Sequence, residues 1–116
     1  MESLIELRDR LRKFAGDRDW NQFHSPKNIA MALSVEVAEL LEHFQWMTEE
    51  ESRNLDAKTK AMVADEIADV QNYLVRLADK LDIDILEAAE VKFAKNEKNY
   101  PADKVRGSSK KYTEYD

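Results

Sequence analysis

The stretches LSVEVAELLEHF, residues 33–44, and VADEIADVQNYL, residues 63–74, decide the fold of this 116-residue chain. Apolar residues recur every three or four positions in both stretches, which predicts two amphipathic helices. At about 100° per residue, two carboxylates border the apolar arc of each helix on the same side. These carboxylates are Glu36, Glu39, Glu66 and Asp69. If the helices pack as antiparallel neighbours, all four carboxylates can face one cleft.

The apolar arcs of these two helices are predicted to form the core. The first arc is centred close to Leu33 and includes Val37 and Leu41. The second includes Ile67 and Leu74. In this arrangement the carboxylates lie at the edge of the buried face and not at its centre.

The remaining sequence also favours helices, because the chain has only two glycines and two prolines. An all-α bundle of about four to five helices is therefore predicted. Ser25 can cap the second helix with Pro26 in its first position, and Thr48 can cap a short helix. The predicted long helices are Leu4 to about Gly16, about Pro26 to about Trp46, about Lys58 to about Leu81, and Asp84 to about Tyr100. We expect one domain, residues 1–103, followed by a flexible basic tail, residues 104–116.

The composition limits the kinds of function. Without cysteine the chain has no disulfide, thiolate nucleophile or cysteine-ligated zinc. It shows neither a signal peptide nor an apolar run of membrane-spanning length, so we expect a cytoplasmic protein with no membrane partner. The net charge of −6 combines an acidic part, −9 over residues 1–90, with a basic end, +3 over residues 91–116. Such a charge disfavours a nucleic-acid polymer and favours a cation with a small phosphate ligand.

The four carboxylates have two interpretations. Held close together, they would repel one another and either take up protons or bind a divalent cation; oxygen ligands suit Mg²⁺. Acidic residues are common in this chain, however, and a pair three positions apart is also typical of a solvated helix face. The pair Asp79 and Asp82 is explained in this second way. For the other two pairs both interpretations stay open.

Several aromatic residues lie outside the periodic apolar pattern. Trp20 and His24 follow each other closely in DWNQFH, Trp46 ends the acidic helix, and Tyr73 follows Asp69 by one turn. Flat aromatic faces and a polar edge suit a nucleobase, since base stacking contributes about 1–3 kcal/mol. Aromatic residues in helices also commonly pack in a core.

Basic residues near the C-terminus suit phosphate oxygens. Lys92 and Asn96 lie about one turn apart in VKFAKNEKNYP, and Lys110 and Lys111 lie in RGSSKKY. Lysines near the end of a helix are also favoured by the helix dipole alone, and the tail can be simply disordered.

Together, these residues carry a family resemblance. RDWNQFHSPKNIAMALSVEVAELLEHFQW, DEIADVQNYLVRLA and KNEKNYP with RGSSKKYTE resemble the MazG-like superfamily of all-α nucleotide pyrophosphohydrolases, and closely its dCTP pyrophosphatase branch. The superfamily pattern is ExxE followed by ExxD. Here the pattern is Glu36 with Glu39 and Glu66 with Asp69.

The resemblance implies a Mg²⁺-dependent enzyme, with Mn²⁺ as a substitute, that converts a nucleoside triphosphate to monophosphate and pyrophosphate. It implies dCTP or a modified cytosine deoxynucleotide as substrate, in nucleotide-pool cleansing. It also implies a homo-oligomer, dimer or tetramer, in which subunits complete the core. The implied metal ligands are Glu36, Glu39, Glu66 and Asp69, and Glu36 or Glu39 would orient the water. The implied base and sugar contacts are Trp20, His24, Trp46 and Tyr73, and the implied phosphate contacts are Lys92, Asn96, Lys110 and Lys111.

Two other classes fit parts of the pattern. A di-iron carboxylate bundle requires Glu-x-x-His pairs, and neither histidine has a glutamate three residues before it. A non-enzymatic helical interaction module would explain the apolar arcs and the charged faces without any catalytic site. Mg²⁺-dependent nucleotide binding distinguishes the enzyme from such a module.

Overall fold

The computed structural model of the chain describes residues 1–109 and residue 113. Within these residues the structure is helical and contains no strand, which confirms the predicted all-α class. The α-helices are α1 (Leu4–Asp17), α2 (Pro26–Glu42), α3 (Glu49–Arg53), α4 (Ala57–Lys80), α5 (Ile85–Asn99) and α6 (Ala102–Val105). A short 3-10 helix, Asn21–Phe23, lies between α1 and α2. No helix in this part of the chain is both long and apolar enough to cross a lipid bilayer.

Side-chain caps determine where the helices begin. The Ser25 hydroxyl accepts a hydrogen bond from the Asn28 backbone, with Pro26 in the first position of α2 as predicted. Thr48 caps α3, and Glu51 completes a capping box with it. The carboxylates of Asp56 and Asp84 cap α4 and α5 in the same manner.

The end of α2 is the main difference from the predicted boundaries. This helix was predicted to continue to about Trp46, but it ends at Glu42. The next residues form tight turns, in which Phe44 and Gln45 donate backbone hydrogen bonds to Leu41. Because Thr48 must be extended to cap α3, the chain leaves the helical conformation before it.

The chain divides into two compact units, Met1–Asp82 and Ile83–Asp116. In the first unit, α4 packs against both α2 and α1. Buried apolar side chains of this unit include Ala15, Ile29, Val63, Val75 and Ala78. The second unit contains α5 and α6. The predicted domain, residues 1–103, and its basic tail stay predictions.

Helices α2 and α4 are antiparallel. His24, just before α2, contacts Arg76 near the end of α4, whereas His43, just after α2, contacts Glu66 in the first half of α4. The chain therefore passes along α4 from its end toward its beginning as it proceeds through α2.

The buried face of α2 differs from the predicted one. With Leu33 as reference, its predicted centre lay at about 20°, but the less exposed side chains are centred at about 300°, the direction of Glu36. Val37 and Leu41 on α2, with Ile67 and Leu74 on α4, were predicted to be core but are 46% to 59% exposed. We call these four residues the apolar flank. In an antiparallel pair they lie on the same side, because each is rotated in the same sense from the face that contacts the other helix.

Candidate metal and nucleotide site

Three carboxylates meet between α2 and α4. Glu36, Glu39 and Glu66 each place a carboxylate oxygen within 4.8 Å of the others. Glu36 and Glu39 lie one turn apart on α2, and the antiparallel packing of α4 brings Glu66 to them. All three side chains are half-buried. The structure thus brings together three of the four carboxylates whose common phase suggested a cleft.

Among the residues that the structure describes, the basic group paired with this cluster is His43, beside Glu66. Burial raises the pKa of Glu36 to about 7; a hydrogen bond to Glu39 and the negative charges of Glu39, Asp69 and Glu66 act in the same direction. Burial also raises the pKa of Glu66, with the charge and hydrogen bonding of Glu39 and the charge of Asp69 adding to it. His43 opposes this effect on Glu66, from which its Nε2 atom is 3.9 Å away.

Asp69 lies at the rim of the cluster. Its side chain is exposed, and the close group of three carboxylates does not include it. Its charge nevertheless reaches both Glu36 and Glu66. The structure places Asp69 where it can join the other three at short range only by a side-chain rearrangement.

The cluster fits a divalent cation. The Oε2 atoms of Glu36 and Glu66 are buried and accept no hydrogen bond from any residue that the structure describes. Buried carboxylate oxygens are normally satisfied, so two such atoms in one cluster are unusual. Hard carboxylate oxygens at this spacing suit Mg²⁺ or a similar ion, which would supply the missing partner.

A second polar site lies at the other end of the α2/α4 pair. Trp20 packs edge-on against Phe14, with ring centroids 5.6 Å apart, and is tilted against His24 at 6.3 Å. The 3-10 helix between α1 and α2 holds Trp20 and His24 close together. This part of the predicted base site is a compact group in the structure.

Arg76 holds this group against α4. It is only 6% exposed and donates hydrogen bonds to His24 Nδ1 and Asn21 Oδ1. Asp79 pairs with Arg76 at 3.5 Å and accepts two hydrogen bonds from Arg12 of α1. The interpretation of Asp79 as part of a solvated face is therefore wrong, because its side chain is 9% exposed.

Sequence reasoning missed Arg76 and Asn21. Arg76 lies off the apolar arc of α4, where a charged residue normally faces water. Its burial depends on partners outside the helix. Asn21 and His24 contact it directly, and Arg12 of α1 binds the neighbouring Asp79. A signal was present in the sequence, since Arg76 and Asp79 are three positions apart with opposite charge.

The other two predicted aromatic contacts are separate from this group. Trp46 is 89% exposed, and Tyr73 is half-buried on α4. In the described residues the aromatic ring contacts join Trp20 to Phe14 and to His24. Neither Trp46 nor Tyr73 takes part in them.

Two of the predicted phosphate contacts belong to the second unit, and the other two lie outside the residues that the structure describes. Lys92 and Asn96 occupy exposed positions one turn apart on α5. Lys110 and Lys111 lie outside the described residues. The roles of all four stay predictions.

Comparison with known proteins finds relatives over most of the chain. The model of the MazG-like family matches residues 31–115. dCTP pyrophosphatase 1 of Homo sapiens is 41% identical over 114 residues, which are 97% of this chain and 67% of the human protein. The protein of the same name from Bos taurus is 39% identical, over 97% of this chain and 68% of its own length.

A solved structure is also similar. A pyrophosphatase from Archaeoglobus fulgidus has 46% sequence identity and a TM-score of 0.78, and the match covers 83% of this chain and 90% of that chain. The sequence relatives and the similar fold thus support the resemblance inferred from the ExxE and ExxD pattern. The chain belongs to the MazG-like family.

Proposed function

We propose that this protein hydrolyses a nucleoside triphosphate to monophosphate and pyrophosphate, with dCTP or a modified cytosine deoxynucleotide as its preferred substrate. The observation that carries the proposal is the unbalanced cluster of Glu36, Glu39 and Glu66, with its two unsatisfied buried oxygens. The names of the mammalian relatives supply the choice of cytosine. A role in nucleotide-pool cleansing follows from that choice.

Each carboxylate has a role in this reaction. Glu36, Glu39 and Glu66 would hold Mg²⁺, or Mn²⁺ in its place, and Asp69 at the rim would complete the ligand set. When bound, the ion would neutralise charge on the phosphate oxygens and lower the pKa of a water. Either Glu36 or Glu39 accepts a hydrogen bond from the attacking water and orients it. The water then adds to the α phosphorus and its proton passes to the solvent, while the bond from that phosphorus to the oxygen bridging the α and β phosphates breaks and pyrophosphate leaves.

The antiparallel pair α2/α4 suits a ligand with two different ends. Glu66 and Arg76 are ten positions apart on α4, a rise of about 15 Å, on the order of an extended nucleoside triphosphate. The triphosphate would lie at the carboxylate end and the base at the end with Trp20 and His24. Trp46 and Tyr73 are proposed to enclose the base and sugar. Lys92, Asn96, Lys110 and Lys111 are proposed to meet phosphate oxygens left uncovered by the ion.

The protein is proposed to act as a homo-oligomer, dimer or tetramer. The apolar flank exposes four large side chains on one side of α2/α4. Apolar patches of this kind on a protein surface mark interaction sites. A second copy of this chain would cover the flank and add to a small core. No membrane or nucleic-acid polymer is proposed as partner, and the cytoplasm stays the predicted location.

The reaction can be tested by identifying its products. The protein is incubated with deoxynucleoside and ribonucleoside triphosphates, modified cytosine deoxynucleotides and dUTP, with Mg²⁺ or with EDTA. We expect monophosphate and pyrophosphate, formed fastest from a cytosine deoxynucleotide and not formed in EDTA. Diphosphate and phosphate as products would contradict cleavage between the α and β phosphates. With no hydrolysis of any nucleotide, the interaction module would become the better explanation.

The assembly can be tested separately. Replacement of Ile67 and Leu74 by serine removes apolar area from the flank without changing the carboxylate cluster. We expect the oligomer measured by light scattering to dissociate at micromolar concentration. Serine at Ala64, an exposed position of the same helix, is the control. If the double variant has the mass of the unaltered protein, the flank is not the subunit contact.

A further inference from the structure

His24 is held by a buried arginine whose own position is fixed from two sides. Arg76 Nε lies 3.3 Å from His24 Nδ1, and its Nη2 atom donates to Asn21 Oδ1. On the other side, Asp79 pairs with Arg76 and is itself bound by Arg12, whose Nε donates over 2.7 Å. The guanidinium therefore has little freedom to turn away from the imidazole.

The direction of the hydrogen bond determines the protonation of the ring. A guanidinium carries only N–H donors and does not lose its proton in proteins. Nδ1 of His24 must therefore accept, with its lone pair free of a proton. A neutral imidazole with an unprotonated Nδ1 carries its proton on Nε2.

The surroundings of His24 also favour the neutral ring. Burial lowers the pKa of His24, and the positive charges of Arg76 and Lys80 lower it further. No acidic group is among the causes that act on this pKa. If the ring took up a second proton, that proton would lie on Nδ1 and point directly at the guanidinium of Arg76.

The Nε2 atom of His24 is left available for a ligand. It makes no hydrogen bond with the part of the chain that the structure describes, whereas Nδ1 is occupied by Arg76. The neighbouring Trp20 ring offers an apolar face beside it. A donor beside an aromatic face is the combination that recognises the acceptor edge of a heterocyclic base.

We propose that Arg76 is a positioning residue that fixes His24 in the tautomer protonated on Nε2, so that His24 donates a hydrogen bond to an acceptor atom of the bound nucleotide. The hydrogen bond from His24 to the nucleotide rests on the proposed function. The tautomer fixed by Arg76 does not. The carbonyl oxygen O2 and the ring nitrogen N3 of cytosine are acceptors of this kind, and Arg76 itself does not touch the substrate.

The tautomer can be measured directly. Long-range proton–nitrogen NMR spectra of the uniformly labelled, metal-free protein distinguish the two ring nitrogens. The chain has only two histidines, so the His43→Gln variant leaves the signals of His24 alone. At about pH 7 we expect a neutral ring with its proton on Nε2. A proton on Nδ1, or a doubly protonated ring at this pH, would overturn the proposal.

Two arginine variants separate positioning from general stability. Arg76→Met removes the donor to Nδ1, and Arg12→Lys disturbs the same ionic group without touching His24. We expect mixed tautomers and a KM raised about three- to tenfold in Arg76→Met, the effect of one lost hydrogen bond, with kcat little changed. Arg12→Lys should keep the tautomer and KM. Equal spectra and KM values in both variants would contradict the positioning role.

Variants of His24 test the donor itself. The amide nitrogen of His24→Gln can take the place of Nε2, whereas His24→Met has no donor. We expect a smaller rise in KM for glutamine than for methionine. The wild-type spectrum decides the tautomer even if Arg76→Met does not fold. If the protein hydrolyses no nucleotide but shows the expected spectrum, the proposed function fails and the tautomer stands.

Discussion

Helix α4 carries two clusters of charged side chains, and within residues 1–109 and 113 only one of them is balanced. Near its end, Asp79 lies between Arg12 and Arg76, so that each buried charge has an opposite charge beside it. In its first half, Glu66 meets Glu36 and Glu39, and two buried oxygens accept no hydrogen bond from any described residue. A balanced cluster needs nothing further to be stable in the folded chain. An unbalanced one is relieved either by taking up protons or by binding a cation.

The largest effect is expected where the unbalanced cluster loses a carboxylate. Glu36→Gln should reduce turnover more than about 100-fold, beyond the usual effect of losing an outer partner of a metal ligand. The helical fold should persist, because the change removes repulsion and no apolar contact. The measurement is pyrophosphate release beside far-ultraviolet circular dichroism. Glu42→Gln removes the same charge at an exposed position of α2 and should be nearly silent. Near-normal activity of Glu36→Gln would show that the unbalanced cluster is not needed for catalysis.

In the balanced cluster the same kind of substitution should affect stability first. Asp79→Asn leaves Arg76 buried without a counter-charge. We expect the free energy of unfolding to fall by about 2–3 kcal/mol. This loss is smaller than for a fully buried ion pair, because the other partner of Asp79, Arg12, is half-exposed. Urea unfolding measures it. Asp82→Asn, an exposed control whose backbone suits both residues, should change little. Equal midpoints for the two variants would show that Asp79 is not needed for stability.

The smallest effect is expected in the response of the metal-free protein to pH. As pH rises, the two clusters change the stability of the fold in opposite directions. The pKa of Glu36 is raised from 4.5 to about 7, so its contribution to stability is fully present below about pH 4.5 and is lost toward pH 7. The pKa of Asp79 is held below 3.8 by hydrogen bonds from Arg12, so its contribution is present above that pH and lost below it.

Stability in EDTA should therefore be greatest in mildly acidic solution, between these two ranges. Thermal unfolding at a series of pH values measures this, and Mg²⁺ should restore stability above about pH 7, where the carboxylates are charged. A steady rise in the melting temperature from about pH 4.5 to 7 without metal would contradict the assignment to Glu36.

The sequence was sufficient for the places where the long helices begin and for the meeting of Glu36, Glu39 and Glu66. Caps such as Ser25 and Thr48 act on residues three positions away, so local sequence contains the information. The common phase of Glu36 and Glu66 correctly predicted that they would meet. What failed was the choice of buried face, since Val37 and Ile67 have the periodicity of a core but are exposed in this single chain.

Non-local contacts explain the remaining misses. Asp79 is bound by Arg12 of α1, more than sixty residues earlier in the sequence. Arg76 is bound by residues between α1 and α2, and no helical periodicity contains these contacts. The end of α2, by contrast, depended on a nearby signal, the competing cap at Thr48. The joining of Trp20 and His24 to α4 through Arg76 required the path of the chain between α1 and α2.

The exposure of Trp46 makes the protein its own optical probe. The chain has two tryptophans; Trp46 is 89% exposed, whereas Trp20 already packs against Phe14. For Trp46 in a single chain we therefore expect the emission of a well-hydrated indole. Any covering of this ring, by a second subunit or by a bound base, will move its fluorescence to shorter wavelength, and a Trp20→Phe variant will report that event from one residue alone.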